Sequence, residues 1–170
     1  MKKIIILVAM LIFLTGCGRN IKNGATLLEE GKYEEAISTF QKDIKRKKNL
    51  DQAYRGVAIA YFELGNYKEA LQAFELALDN QTTETATLCS MMAVCYIETE
   101  EYNLAIDWYE KALSKDDISK EQEQEIQYNL IAIYEKMENW EAAKTQMEKY
   151  IELYPDDSRV KKEADFLKTR

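Results

Sequence analysis

The chain of 170 residues contains no histidine, only three cysteines and a single proline. Histidine is the commonest general acid–base side chain and the commonest metal ligand, so its absence weighs against an enzyme or a metal site. The sequence also has no glycine-rich phosphate loop and no pattern of a reactive cysteine. We therefore expect a non-catalytic protein that uses no cofactor and no metal.

Basic residues are outnumbered, with 23 Lys and Arg against 30 Asp and Glu, which gives a formal net charge of −7. Such a surface repels the phosphates of nucleic acids and argues against a nucleic-acid partner. One dense basic run stands out, and its members are Lys42, Lys45, Arg46, Lys47 and Lys48. Two interpretations remain open for this run: it complements a helix C-terminus, or it contacts anionic lipid headgroups as a membrane-facing patch.

Two further groups of reactive side chains have ordinary explanations. Cys89 and Cys95 fall on different sides of one predicted helix, so they cannot form a disulfide with each other, and we expect both thiols to be buried. The carboxylates of Glu121, Glu123 and Glu125 alternate by two residues, which spreads them over several faces of a helix. We interpret them as a solvated helix start and not as a calcium site or a catalytic pair.

A helical pattern dominates the stretch from residue 51 to residue 78. Apolar residues recur there at helical spacing on both sides of Gly65 and Asn66, which predicts two amphipathic helices joined by a tight turn. Glycine allows the left-handed backbone that ends many helices, and the small side chains of Ala58 and Ala70 let the two helices approach closely. One such hairpin cannot bury its apolar stripe alone.

The pattern returns in four segments. The matching positions are Tyr33, Tyr67, Tyr102 and Trp140, then Ala36, Ala70, Ala105 and Ala143, then Phe40, Phe74, Tyr109 and Met147. This register resembles the tetratricopeptide repeat, a helical hairpin of 34 residues. The resemblance implies an all-α protein, a right-handed superhelical solenoid of about four hairpins plus a C-terminal capping helix.

The expected array covers residues 21–157, with repeats near 17–50, 51–84, 86–119 and 124–157 and the capping helix over 158–170. The first repeat is degenerate, since Asp43 stands at an alanine position, and Tyr150 is another such departure in the fourth. Glu100 replaces the turn glycine of the third repeat. Capping-box patterns at Asn49 with Gln52 and at Ser119 with Gln122 predict the starts of two helices.

The N-terminal pattern is typical of a targeting segment. Lys2 and Lys3 precede an apolar run over residues 4–14, which as a helix would rise about 16 Å, roughly half of a bilayer core, and so indicates a signal peptide and not a membrane span. The ending Leu-Thr-Gly-Cys resembles the bacterial lipoprotein signal. That resemblance implies removal of residues 1–16, acylation of Cys17 and a short tether over 17–20, on the extracytoplasmic face of a bacterial membrane. An ordinary secretory signal with an incidental cysteine is the alternative.

In the tetratricopeptide family the first helices of the hairpins line a concave groove. Carried over by register, the groove positions are Arg55, Ile59, Phe62 and Glu63, then Ser90, Val94, Ile97 and Glu98, then Tyr128, Ala132, Glu135 and Lys136. Chaperone-tail-binding members have asparagine where Ile59 and Val94 stand, so that ligand is not expected. Packing between neighbouring first helices is the alternative role for these two residues.

The resulting hypothesis is a membrane-anchored scaffold that binds a peptide or a helix of another cell-envelope protein in its groove. We expect an exposed apolar floor flanked by Arg55 and Tyr128, residue types common in binding hot spots. The alternative is a structural lipoprotein that associates with copies of itself and binds no separate ligand.

Overall fold

The computed structural model describes residues 18–159, and within that range it contains eight α-helices and no strand. The helices are α1 (Arg19–Glu29), α2 (Tyr33–Lys45), α3 (Leu50–Glu63), α4 (Tyr67–Asp79), α5 (Ala86–Glu98), α6 (Tyr102–Leu113), α7 (Lys120–Lys136) and α8 (Trp140–Leu153). Consecutive pairs pack together as hairpins 1 to 4, and each hairpin packs against the next. The predicted fold class, an all-α solenoid of helical hairpins, is confirmed.

Small residues set the spacing inside and between the hairpins. The four alanines that repeat in the second helices are fully buried, and they are Ala36, Ala70, Ala105 and Ala143. Around the Phe40 ring the neighbours are smaller still. A Cβ atom added to Gly24 or Gly56 would lie 2.5 or 2.4 Å from that ring. The absence of a side chain at these two glycines therefore makes the room that the ring fills.

The turns inside the hairpins keep a left-handed residue even where the sequence lacks glycine. Gly31 and Gly65 have φ angles of 71° and 75°, so the predicted left-handed end of α3 is confirmed. Glu100 and Glu138 take the same role in hairpins 3 and 4 with φ angles of 65° and 56°. A residue with a Cβ atom loses about 1 kcal/mol there, which the packing of the repeat must offset.

Of the two predicted capping boxes, the one at Ser119 is confirmed and the one at Asn49 is absent. Ser119 and Gln122 exchange the reciprocal hydrogen bonds at 3.1 and 3.0 Å, and α7 begins directly after Ser119. Asn49 precedes α3 but makes no cap, because its backbone is left-handed with φ 46° and its side chain donates to Asp43 at 3.3 Å. The early start of α7 shows that the extra residues before the fourth repeat lengthen its first helix.

Each hairpin is closed by a hydrogen bond between the start of its first helix and the end of its second helix or the turn that follows. The four closing bonds join Asn20 to Asp43 (2.6 Å), Thr82 to the Asp51 carbonyl (3.0 Å), the Ala86 amide to Asp117 (3.0 Å) and Gln124 to Asp157 (3.0 Å). The turns that leave the hairpins, residues 46–49, 80–85, 114–119 and 154–158, therefore lie along one side of the array. We call this side the exit-turn edge.

The predicted signal peptide, Cys17 and the expected capping helix from Val160 onward lie outside the described residues. Among the helices that the structure describes, none combines the length and the apolar character that crossing a membrane requires. After hairpin 4 the structure describes only the turn 154–158 and Arg159.

Candidate functional site

The apolar floor expected in the groove is largely closed. Ile59, Val94 and Ile97 are only 6, 6 and 7% exposed. Ile59 belongs to a core cluster that also contains Leu88 and Met91 of α5, so side chains of neighbouring first helices cover one another. The expectation of an exposed floor is wrong for these three residues, and the alternative of helix packing describes Ile59 and Val94 better. Their assignment to a partner-binding surface stays a prediction.

Phe62 lies at the joint between hairpins 2 and 3 and remains half-exposed. Its ring packs against the core clusters of both hairpins and meets the Tyr67 ring edge-on, with centroids 5.9 Å apart. A ring held from two sides loses little conformational freedom when a partner covers its remaining face. The exposed face of the Phe62 ring is therefore held in a fixed orientation.

Arg55 is the half-buried cation of the groove. Burial lowers the pKa of its guanidinium, and the charge of nearby Asp51 acts in the opposite direction. Among the described residues no carboxylate oxygen lies within 4.0 Å of this guanidinium. A partly desolvated cation that forms no salt bridge within its own chain can gain by pairing with an acceptor from outside.

The other central groove positions are occupied within the chain. The Ser90 hydroxyl donates to the Ala86 carbonyl of its own helix at 2.8 Å. Tyr128 carries the Arg159 guanidinium over its ring, 4.3 Å from the centroid, and its ring lies edge-on to Tyr150 at 5.7 Å. Glu135 and Ala132 are half-buried. Tyr128 is thus fixed by the far end of the array.

The outer groove positions Glu63, Glu98 and Lys136 are exposed and form a rim. Two rim residues meet the repeated tyrosine of the preceding hairpin. The Tyr33 hydroxyl donates to the Glu63 carboxylate at 3.4 Å, and the Lys136 ammonium lies 6.0 Å from the centroid of the Tyr102 ring. Burial raises the pKa of Tyr67, and the negative charge of Glu98 acts in the same direction. Register alone did not predict these contacts, although the repeated tyrosines were their signal.

Packing accounts for the two cysteines, and pairing accounts for one of the three α7 carboxylates, while Glu121 and Glu123 lie in the first turn of that helix. Cys89 and Cys95 are fully buried and unbridged, and burial raises the pKa of their thiols to about 11 and about 12, as expected for core residues and not for nucleophiles. Glu125 pairs with Arg159 at 2.9 Å. Within residues 18–159 no three acidic or cysteine side chains converge in a way that could hold a metal ion.

The basic run remains open to solvent. Its five side chains are all exposed, and among the described residues none of them forms a salt bridge. Lys42 and Lys45 lie in the last turn of α2, whereas Arg46, Lys47 and Lys48 form the turn 46–49. Both interpretations, a helix-end complement and a lipid contact, stay predictions.

Comparison with known families decides the classification. The profile described as "Psidin, N-terminal TPR repeats region" matches residues 19–158. The chain belongs to this tetratricopeptide repeat family. Among curated proteins it is similar to the Hsp70-Hsp90 organising protein of Plasmodium falciparum, with 26% identity over 99 residues. This match covers 55% of the present chain. The chain spans only 18% of that relative's length, so the relative's whole activity does not transfer.

Solved structures of tetratricopeptide proteins share the fold. The C-terminal part of a TPR repeat-containing protein from Cytophaga hutchinsonii superposes with a TM-score of 0.74 at 21% identity, covering 86% of this chain and 56% of that one. YrrB, described as a TPR protein with an unusual peptide-binding site, superposes with a TM-score of 0.58 at 21% identity, covering 83% and 88%. At these identities the likeness concerns the fold alone.

Proposed function

We propose that this tetratricopeptide protein is a non-catalytic scaffold, anchored through acylated Cys17 to the extracytoplasmic face of a bacterial membrane. Its groove holds a peptide or a helix of another cell-envelope protein. The family membership supports a protein-binding role, and the charged start, apolar run and Leu-Thr-Gly-Cys ending support the anchor.

The observation that carries the binding role is the combination of Arg55 and Phe62 on α3. They lie seven residues apart, two turns along the same face of the helix. Arg55 offers a half-buried cation that forms no salt bridge among the described residues, and Phe62 offers a ring fixed between two hairpins. Arginine and aromatic residues in partly desolvated positions dominate the energetics of protein interfaces.

These contacts define the partner's chemistry. An acceptor group, either a carboxylate or a backbone carbonyl at a helix end, fits Arg55, and an apolar side chain about two turns away fits Phe62. The carboxylates of Glu63 and Glu98 at the rim repel a uniformly acidic segment. The partner segment is therefore mainly apolar, with one acceptor group placed to meet Arg55.

Crosslinking in intact cells tests this function. Partners recovered with the wild-type chain are compared with those recovered with Arg55→Glu, which replaces the cationic donor by a carboxylate that repels the partner's acceptor oxygen. Lys68→Glu is the matched control, because Lys68 is exposed on α4 and its replacement changes the net charge equally. We expect lower recovery for Arg55→Glu alone, with unchanged circular dichroism. Equal recovery from both folded variants would remove the groove from consideration.

Self-association is a second candidate because four large apolar side chains are 38–49% exposed, namely Leu76, Leu104, Ile151 and Leu153. Exposed apolar surface of this kind favours contacts between copies of a protein. Sedimentation of the domain at micromolar concentration separates the two candidates. A dimer that Leu76→Ser and Leu104→Ser disrupt would favour self-association, and a monomer would favour the scaffold.

A further inference from the structure

The start of the described chain and the basic turn lie at the same corner of hairpin 1. A Cβ atom added to Gly18 would lie 2.6 Å from the Asn49 side-chain nitrogen and 3.5 Å from an Asp43 carboxylate oxygen. Asn49 itself belongs to the turn 46–49. Cys17 is the residue bonded to Gly18, and consecutive Cα atoms are about 3.8 Å apart. Gly18, which follows Cys17 in the sequence, therefore lies beside the turn that carries Arg46, Lys47 and Lys48.

Charge along the exit-turn edge is polarised. The turn 46–49 has three basic residues and no acidic one. The other three turns, 80–85, 114–119 and 154–158, each contain more acidic than basic residues. An anionic surface thus attracts one end of this edge and repels the rest of it.

From this placement we propose that the turn 46–49, together with Lys42 and Lys45, docks on anionic lipid headgroups. Hairpin 1 then lies against the membrane and the array rises from it, with hairpin 4 farthest away. The proposal rests on the acylation of Cys17 proposed above. The acyl chains hold hairpin 1 at the surface, and the basic turn decides which side of it faces the lipid.

The charge distribution explains why the array would rise and not lie flat. Attraction between a basic side chain and anionic headgroups acts over about 8 Å at physiological ionic strength. The basic turn lies beside Gly18, so its side chains are the first to come within that distance once Cys17 is acylated. The acidic turns at the other hairpins gain nothing by approaching the same surface, so the exit-turn edge tilts away from it.

The experiment uses the full-length acylated protein in vesicles of phosphatidylcholine, with or without phosphatidylglycerol, that carry an energy acceptor on a fraction of the headgroups. A donor fluorophore is attached at Gln41→Cys in hairpin 1 or at Asp156→Cys in the turn after hairpin 4, two exposed positions. Cys89 and Cys95 are fully buried and escape labelling. We expect stronger energy transfer from position 41 than from position 156, and a larger contrast on anionic vesicles that falls as salt is added.

The contribution of the turn is isolated with glutamine variants. In the test variant Arg46, Lys47 and Lys48 are all replaced by glutamine. The left-handed backbone at Lys47 (φ 52°) accepts glutamine, because Gln81 has a similar φ of 68° at the same position of the next repeat. The control carries the same change of net charge on exposed lysines away from the turn, namely Lys68, Lys120 and Lys149. We expect the test variant to lose the additional contrast on anionic vesicles and the control to keep it.

The outcomes separate the anchor from the orientation. If mass spectrometry finds no acyl group on the mature protein and the protein leaves the vesicles, the proposed anchor fails and the orientation falls with it. If the protein is acylated and bound, but energy transfer is equal from both positions or is the same in wild type and the test variant, the orientation is overturned while the anchor stands. Loss of contrast in the test variant alone supports the orientation.

Discussion

Asn129 donates a buried hydrogen bond of 3.1 Å to the Tyr109 hydroxyl and so joins hairpin 4 to hairpin 3. Tyr109 stands where Phe40 and Phe74 stand in the first two hairpins, and it is equally buried. A buried phenol needs a partner, whereas a phenylalanine ring does not. The joint between hairpins 3 and 4 therefore contains a specific polar contact that the corresponding phenylalanines cannot make.

Asn129→Leu is expected to leave the Tyr109 hydroxyl unsatisfied and to lower the free energy of unfolding by about 1–3 kcal/mol. Adding Tyr109→Phe to this variant removes the unsatisfied group and should recover part of the loss. Urea unfolding of the wild type, both single variants and the double variant gives the coupling between the two side chains. Strictly additive effects would contradict the contact.

The sequence predicted the hairpins well because their signals are local or periodic. The repeated alanines, the turn at Gly65 and the cap at Ser119 each follow from residues within one turn of helix or one repeat of each other. Asn49 was misjudged because its side chain has a better partner in buried Asp43, which no local pattern reveals.

The groove was predicted less well for a related reason. Register places Ile59 and Val94 on the correct helix faces, but whether a face is open depends on how closely the next hairpin packs. The same holds for Tyr128, whose contact with Arg159 joins residues a full helix apart in the sequence. Periodicity therefore located the surface without giving its exposure.

The alkaline limit of stability should depend on Tyr150. Burial first, and then the hydrogen bond of 2.6 Å that its hydroxyl donates to Asp157, raise the pKa of Tyr150 to about 12. Because the folded pKa exceeds the ordinary value of about 10, the group contributes stability below pH 10 that is lost as the pH rises toward 12. The free energy of unfolding should fall over this window in the wild type, and less steeply in Tyr150→Phe. The same slope in both proteins would exclude this contribution.

The acidic limit of stability should depend on Asp157, which accepts the hydrogen bond from Tyr150. The bonds from Arg159, followed by that from Tyr150, outweigh burial and hold the pKa of Asp157 below its usual range. A depressed folded pKa contributes stability above the ordinary carboxyl pKa of about 4, and that contribution is lost as the pH falls below it. Asp157→Asn should remove this part of the acid dependence, whereas Asp156→Asn, at an exposed neighbouring carboxylate, should leave it. Unfolding followed from neutral to acid pH measures both.

The double variant Ile59→Glu with Val94→Glu should unfold the domain. Both side chains are 6% exposed, so two carboxylates would be buried among apolar neighbours at a cost of several kcal/mol. Glu63→Ala with Glu98→Ala, on the rim of the same groove, is the comparison and should retain the fold, because both carboxylates are exposed. Circular dichroism and thermal unfolding measure the difference. A stable, helical double glutamate variant would mean that the groove floor is open in solution.

The anchor is tested most directly at Cys17. Serine has no thiol to accept a diacylglyceryl group, so Cys17→Ser should abolish incorporation of labelled fatty acid and leave the protein unprocessed or released from the membrane fraction. Cys89→Ser serves as the control, because this thiol is fully buried and its pKa is raised to about 11, which makes it a poor nucleophile. The control should retain wild-type labelling. Fatty-acid label that persists at the wild-type level on Cys17→Ser would show that lipid is attached elsewhere, and the lipoprotein interpretation would then be wrong.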